Sequence, residues 1–232
     1  KGERCFIIGN GPSLNKLDLT KLKNEITFGV NAIYLNYDKM KFHPTYYIVE
    51  DSLVVEDRAD EINNYKGPKL KFFGNYFRSL ITPDDETIFI NLLRNYADKK
   101  AFPLFSKNGV RNFGVGGSVT YVCLQMAYFM GFKEVYMIGF DHNYKIPDSA
   151  LITNKRETGF DITSVEDDVN HFSPEYFGKG YRWHDPNVDR MEVGFKKAND
   201  EFKKDGRKVF NATLGGHLEV FERVEYEKLF KW

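Results

Sequence analysis

Five polar residues each stand just past a short apolar run: Asn10 after Cys5 to Ile8, Asn31 after Ile26 to Val30, Asp51 after Tyr46 to Val49, Asp141 after Val135 to Ile138, and Asn211 after Val209-Phe210. Asn and Asp are ordinary turn formers, so one such position carries little. Five in corresponding places point to a common polar edge. Amides there suit a nucleotide, and carboxylates suit hydroxyls of a ribose or another sugar. Two glycine-rich turns add to the set. Gly9-Asn-Gly-Pro-Ser13 follows the first apolar run, and Gly114-Val-Gly-Gly-Ser118 precedes the apolar stretch Val119 to Met130. Glycine lets the backbone approach a ligand closely, and a following helix presents free N–H groups. Candidate nucleotide contacts are therefore Asn10, Gly11, Ser13, Asn31, Asp51, Gly117, Ser118 and Asp141. The first turn is neither a Gly-x-Gly-x-x-Gly fingerprint nor a Walker A loop, because no Gly-Lys-Ser/Thr follows.

The chain has five histidines. His43 precedes Pro44 and reads as structural. His217 follows Gly215-Gly216 beside the proposed edge, and its role stays open. His142 follows Asp141, while His171 and His184 fall in a long polar segment. An imidazole with an unperturbed pKa of about 6.5 can act as a general base at neutral pH; an exposed loop histidine is the competing account of each. No His-x-x-x-His, Cys-x-x-Cys or His-Glu-x-x-His spacing occurs, so no metal site is expected. Glu50-Asp51 could still help hold Mg²⁺ near a phosphate, or accept hydrogen bonds from sugar hydroxyls. Asp167-Asp168 reads as solvated loop charge. Cys5 and Cys123 lie in apolar surroundings and read as buried free thiols in a reducing compartment.

These residues need a scaffold that brings strand ends together. The pattern predicts strands at Cys5 to Ile8, Ile26 to Val30, Tyr46 to Val49, Leu70 to Phe73, Thr87 to Ile90, Val135 to Ile138 and Val209-Phe210. Ser13 is expected to cap a short helix from Leu14 to about Leu22. Val119 to Met130, stopped by Gly131, reads as a buried helix. Met191, Phe195, Ala198 and Phe202 fall at helical steps after Asn187, and a final amphipathic stretch is expected from Val220 to Phe230. Residues 142 to 186 show no sustained periodicity and read as a functional lid. Strands alternating with helices predict an α/β, Rossmann-like fold: a mostly parallel sheet with helices on both faces, one domain over residues 1–232 with a lid at about 142–186.

Composition sets bounds. Hydrophobic residues make up 42% of the 232 residues, enough for a large core. Lys+Arg and Asp+Glu balance at 33 each, so no overall field argues for nucleic acid. No apolar run approaches the roughly 20 residues of a membrane span, and no signal-peptide pattern opens the chain. The chain begins at Lys1-Gly2 without Met, as a piece of a longer protein would. Tyr76, Phe77 and Trp183 are expected to be exposed, for partner contact or acceptor stacking.

At these residues the chain resembles a known group. Ile7-Ile-Gly-Asn-Gly-Pro-Ser-Leu14 is similar to the opening strand and turn of bacterial sialyltransferases of glycosyltransferase family 42 and of the DUF115 / MptE-like superfamily. The latter includes motility accessory factor glycosyltransferases and archaeal 6-hydroxymethylpterin diphosphokinases. Gly29-Val-Asn31, Pro44 to Asp51, Gly117-Ser118, Gly131 to Asp141, His171-Phe172 with Tyr176-Phe177, and Asn211 to Gly216 with Leu218 to Phe221 follow in order. The resemblance implies that Asn10, Asn31 and Ser118 face a nucleotide and that His184, shortly before a helix, is a catalytic base, with His171 in reserve. It implies that Tyr144 hydrogen-bonds the leaving phosphate, with Tyr176 as a loose second. It departs from the sialyltransferases at Glu50-Asp51, where they carry Asn; negative charge there is unfavourable beside an anionic sialyl donor. The expected function is transfer from a nucleotide-activated sugar, CMP-linked in the sialyltransferase manner, to a glycan or glycoconjugate acceptor in bacterial surface polysaccharide synthesis. No metal cofactor is required for such a donor, and the expected place is the cytoplasm, at the inner face of the membrane. The alternatives are a Mg²⁺-dependent pyrophosphokinase and a non-catalytic nucleotide-binding module.

Overall fold

The computed structural model describes residues 3–96, 98 and 100–230. Strands β1 (Arg4–Ile8), β2 (Thr27–Val30), β3 (Tyr46–Val49), β4 (Leu70–Gly74) and β5 (Thr87–Ile90) enter one sheet in succession. The short pair β6 (Leu92–Leu93) and β7 (Phe113–Gly114) lies apart, and β8 (Glu134–Ile138) returns to the sheet. A separate antiparallel sheet holds β9 (Leu151–Arg156), β10 (Gly159–Thr163) and β11 (Arg182–His184). Strands β12 (Lys208–Asn211) and β13 (Glu222–Arg223) complete the large sheet, whose order is β13-β12-β8-β1-β2-β3-β4-β5. Every pairing in it is parallel. The order reverses at β1, which has β2 on one side and β8 on the other; such a switch point opens a crevice beyond the carboxyl ends.

The strands are apolar on both faces because both faces are covered. Phe6, Ile8, Tyr47, Val49, Phe73, Tyr136 and Ile138 pack on one side with residues of α1 (Tyr37–Met40) and α2 (Ser52–Asn64). Cys5, Ile7, Ile48, Phe72, Val135 and Met137 pack on the other against α3 (Val119–Met130) and α4 (Val188–Lys204). Helix α3 is apolar all round because it lies between the sheet and further cover, and residues 119–128 are all buried. Its one buried amide is fully used. Gln125 Oε1 accepts from the Ser106 and Gly114 N–H groups, and Nε2 donates to the Gly114 and Tyr121 carbonyls. The helix stops at Gly131, whose φ of +90° disfavours other residues, with the Phe132 N–H returning to the Ala127 carbonyl. Both cysteines are buried free thiols.

Four expectations change. Ser13 caps nothing: two 3-10 turns, Pro12–Lys16 and Leu19–Leu22, replace the expected helix, and Asp18 caps the second. Segment 142–186 carries the β9–β11 sheet, hidden from periodicity because β9 is exposed along its whole length. Phe77 and Trp183 are buried at 2% and 5% exposure, leaving only Tyr76 of the three exposed. The amphipathic stretch Val220 to Phe230 resolves into β13 and a 3-10 turn, Tyr226–Phe230.

Helix α4 approaches the start of α3 so closely that a Cβ on Gly194 would lie 2.7 Å from the Gly116 carbonyl oxygen. Backbone must move to admit it. Gly194→Ala is expected to cost about 1–3 kcal/mol, seen as a lower denaturant midpoint at unchanged slope.

Candidate active site

A small pocket of about 90 Å³ opens at the switch point, lined by the ends of β1, β2 and β8 and the start of α3. Gly9 and Gly11 shape it, for a reason other than ligand approach. A Cβ on Gly9 would lie 2.7 Å from the Gly139 carbonyl oxygen, and one on Gly11 would overlap the Asp141 carboxylate. Three of the turn's N–H groups are also taken: Gly9 donates to Ile138 O (2.8 Å), Gly11 to Gly139 O (2.9 Å), and Ser13 to Asp141 Oδ1 (3.2 Å). The Ser13 hydroxyl donates to Asp141 Oδ2 (2.7 Å). Thus Gly9–Ser13 is a splice to the β8 loop, in which the Gly9, Gly11 and Ser13 N–H groups are occupied.

Two of the lining amides keep a buried oxygen without a partner. Asn10 Nδ2 donates to Val30 O (3.2 Å) and to the Tyr176 hydroxyl (2.7 Å), leaving Oδ1 buried without a partner. Asn31, at φ +50°, likewise has a buried, unpaired Oδ1, and its carbonyl accepts from the Tyr47 hydroxyl (2.6 Å). Unpaired buried acceptors are costly unless a donor arrives. Both amide oxygens therefore suit a ligand with amino or hydroxyl hydrogens.

A larger cleft of about 470 Å³ continues from the same edge. Three helix N-termini open onto it: α2 through Asp51 and Ser52, α3 through Gly117 and Ser118, and α4 through Asn187. Each carries partial positive charge that favours anions. Ser118 Oγ accepts from the Thr120 N–H, and Asn187 Oδ1 from the Arg190 N–H. Arg94, Arg156 and Arg190 also line the cleft. Arg156 pairs with Asp161. Arg94 lies over the Tyr76 ring at 4.2 Å and donates to its hydroxyl at 2.7 Å; Arg190 lies over Tyr96 at 5.0 Å.

Asp51 works twice. Its carboxylate accepts from the Leu53 and Val54 N–H groups at 2.9 and 3.3 Å, capping α2, and it stands 3.1 Å from His184 Nδ1. His184 Nε2 lies 3.8 Å from Asp161. Burial disfavours the charged imidazole, but the hydrogen bond and charge of Asp51, with Asp161 behind, outweigh it and raise the His184 pKa. Glu50 behaves oppositely: burial pushes its carboxyl up to about 7, against the pull of Arg94.

A second pair forms in the segment over the pocket. His171 Nδ1 is 2.7 Å from Asp168 Oδ2, and its ring stacks on Tyr176 with centroids 4.0 Å apart. The Asp168 side chain is 3% exposed and also accepts from the Phe177 N–H, so it is no solvated loop charge. Tyr144 is pushed up to about 12 by burial and by Asp141 and Asp168, so it stays a hydrogen-bond donor.

The structure brings Asn10, Gly11, Asn31, Ser118, Asp141, Tyr144 and His171 together around the small pocket. It places Asp51, Gly117 and His184 on the adjoining cleft, which shares Asn31, Ser118, Tyr144 and His171. Ser13 and Asn211 lie outside both. Asn211 is fully buried, donating to Leu218 O and accepting from the Thr213 N–H. Tyr176 also lines the small pocket, and its hydroxyl accepts from Asn10 Nδ2. His43 is structural, stacked on Tyr37. Arg94, Tyr96, Arg156, Arg190 and Asn187 were missed. Only Asn187, just before a helical pattern, carried a local signal.

The reversed strand order, with polar groups gathered beyond the carboxyl ends, defines a Rossmann-like α/β protein with a polar cleft at its switch point. The family model described as 6-hydroxymethylpterin diphosphokinase MptE-like matches residues 1–147, and the chain belongs to that family. Among solved structures it is similar to the MAf glycosyltransferase from Magnetospirillum magneticum AMB-1, with a TM-score of 0.55 and 13% identity, over 98% of this chain and 34% of that one. The chain thus spans about a third of that protein's length, and the likeness is one of fold. No curated protein gives a significant match.

Two predictions follow from the cleft's charges. Asp51→Asn removes the group that raises His184, so the NMR titration midpoint of His184 is expected to fall relative to wild type. For Glu50, the folded pKa of about 7 exceeds the ordinary carboxyl value of 4.5. The fold therefore favours the protonated acid; its contribution is full below the unfolded pKa and is lost as pH rises through the folded one. Glu50→Gln is expected to gain stability on wild type as pH rises from ~4.5 to ~7, measured by urea unfolding at each pH.

Proposed function

We propose that the chain is a glycosyltransferase that uses a nucleotide-activated sugar with a CMP-linked donor. One observation carries the reading: His184, fixed by Asp51, shares a cleft with three helix N-termini, and that cleft adjoins a pocket holding two unpaired amide oxygens. The amides suit a nucleoside, the helix termini suit its phosphate, and His184 suits an acceptor hydroxyl. With Nδ1–H donated to Asp51, Nε2 takes the acceptor proton as the oxygen attacks the anomeric carbon. Tyr144 donates to the departing phosphate, whose charge would otherwise grow unopposed. The glycosyltransferase named above, similar in fold, supports a sugar donor and acceptor in general.

The family match favours a second reading, pyrophosphate transfer from ATP with Mg²⁺. Glu50 and Asp51 fit poorly as its cation ligands. Glu50 is held toward its neutral form, and the Asp51 carboxylate already serves two backbone N–H groups and His184. Among the described residues no group of three or more His, Cys, Asp or Glu is placed to hold a metal.

Thermal-shift titration with CMP, CDP, UDP, GDP and ATP, each with and without Mg²⁺, separates the readings, since a ligand of the folded state raises its melting temperature. Stabilisation by CMP without metal is expected; stabilisation by ATP only with Mg²⁺ would favour pyrophosphate transfer. With a turned-over donor, His184→Gln is expected to lower kcat by about 10²–10⁴ with KM little changed, and an unaltered kcat rules out the base.

A further inference from the structure

We propose that His171, held by Asp168, is the acid that meets the leaving phosphate, so that the two sides of the transfer are served by separate histidine–aspartate pairs. This rests on the nucleotide-transfer reading above. His184 lines only the larger cleft, whereas His171 lines both cavities. The polar residues common to both are Asn31, Ser118, Tyr144 and His171. A nucleoside seated against Asn10 and Asn31 must pass its phosphate through that shared opening to place the transferred group beside His184.

The imidazole is built for one orientation. Asp168 is buried and receives the Asn170 N–H (2.7 Å), the Phe177 N–H (2.9 Å) and His171 Nδ1 (2.7 Å). A carboxylate with those donors stays ionised and fixes Nδ1 as the protonated edge. The ring lies flat on Tyr176, at an interplanar angle of 5°, and edge-on to Phe177. Tyr176 is pinned by Asn10, and the Phe172 N–H donates to the Asn10 carbonyl at 2.8 Å. The end of β1 therefore sets where the imidazole stands. Nε2 has no hydrogen-bond partner among the described residues, and the Tyr144 hydroxyl lines the same opening.

In the step itself, the acceptor hydroxyl gives its proton to His184 Nε2 as the bond between its oxygen and the anomeric carbon forms. The bond from that carbon to the phosphate oxygen breaks, with its electron pair going to the oxygen. The His171 imidazolium gives its Nε2 proton to the phosphate and becomes neutral, its Nδ1–H still on Asp168. One proton leaves the acceptor and one reaches the leaving group; exchange with water resets both rings.

The probes are CMP and cytidine, which differ only in the phosphate. The imidazole ¹⁵N resonances of the wild-type protein are recorded through titrations with each, and His171 is assigned with His171→Gln. CMP is expected to move the His171 Nε2 resonance toward the protonated form and raise its titration midpoint; cytidine is expected to leave both unchanged. His171→Gln should weaken CMP binding by about ten- to a hundredfold, as loss of a hydrogen bond to a charged group does, and leave cytidine binding unaltered. If CMP binds while His171 stays unperturbed, this assignment is overturned and the nucleotide reading stands, whatever the variant does. If CMP fails to bind the wild-type protein, the CMP-linked reading falls and this inference with it.

Discussion

The parallel pairing of β8, β1, β2 and β3 is the constraint on which the rest depends. Parallel strands end on one edge, so residues far apart in sequence meet there without any local signal between them. Asn10, Asn31, Asp51 and Asp141 each follow such an end. The reversal at β1 parts the connecting segments on its two sides and leaves room between them. The splice of Gly9, Gly11 and Ser13 to the β8 loop then fixes the floor of that opening. Any side chain on Gly11 would strike Asp141 and break the splice.

Charge in the cleft follows from the same arrangement. Helix α2, which starts after the parallel strand β3, points its N-terminus at the carboxyl edge, and α3 and α4, which start after β7 and the antiparallel β11, open onto the same cleft. An anionic ligand gains from all three. Two of the acids that line it are compensated, Asp51 by two N–H groups and His184 and Glu50 by remaining near its neutral form, while Asp161, beside His184, is held by Arg156 and Asn154. The departure at Glu50-Asp51 from the sialyltransferase pattern therefore adds less negative charge than two free carboxylates would.

Strand positions were legible because a buried parallel strand is a continuous apolar run, and α3 because its run is too long for a strand. The edge residues were legible by their place after those runs. What escaped depends on contacts distant in sequence. Asp168 looks like loop charge until Phe177 and His171 close over it. Arg94 and Arg190 sit in stretches with no motif, and at the cleft Arg94 lies over Tyr76 while Arg190 lies over Tyr96 and donates to the Thr158 carbonyl. β9 carries no burial pattern at all, so nothing in its residues marked it as a strand.

The glycine turn shows how a correct motif can be given the wrong cause. Gly9-Asn-Gly-Pro-Ser13 has the composition of a phosphate cradle, and the pocket does lie beside it. Yet its glycines admit the β8 loop, and the Gly9, Gly11 and Ser13 N–H groups are used there. Composition reports that a backbone must come close; it does not say to what. The side chain that the turn brings to the pocket is that of Asn10, between the two glycines, and it is bonded to Tyr176 from 166 positions away. Placement of the polar edge is thus a property of strand order, while the aim of each side chain is a property of the segment that closes over it.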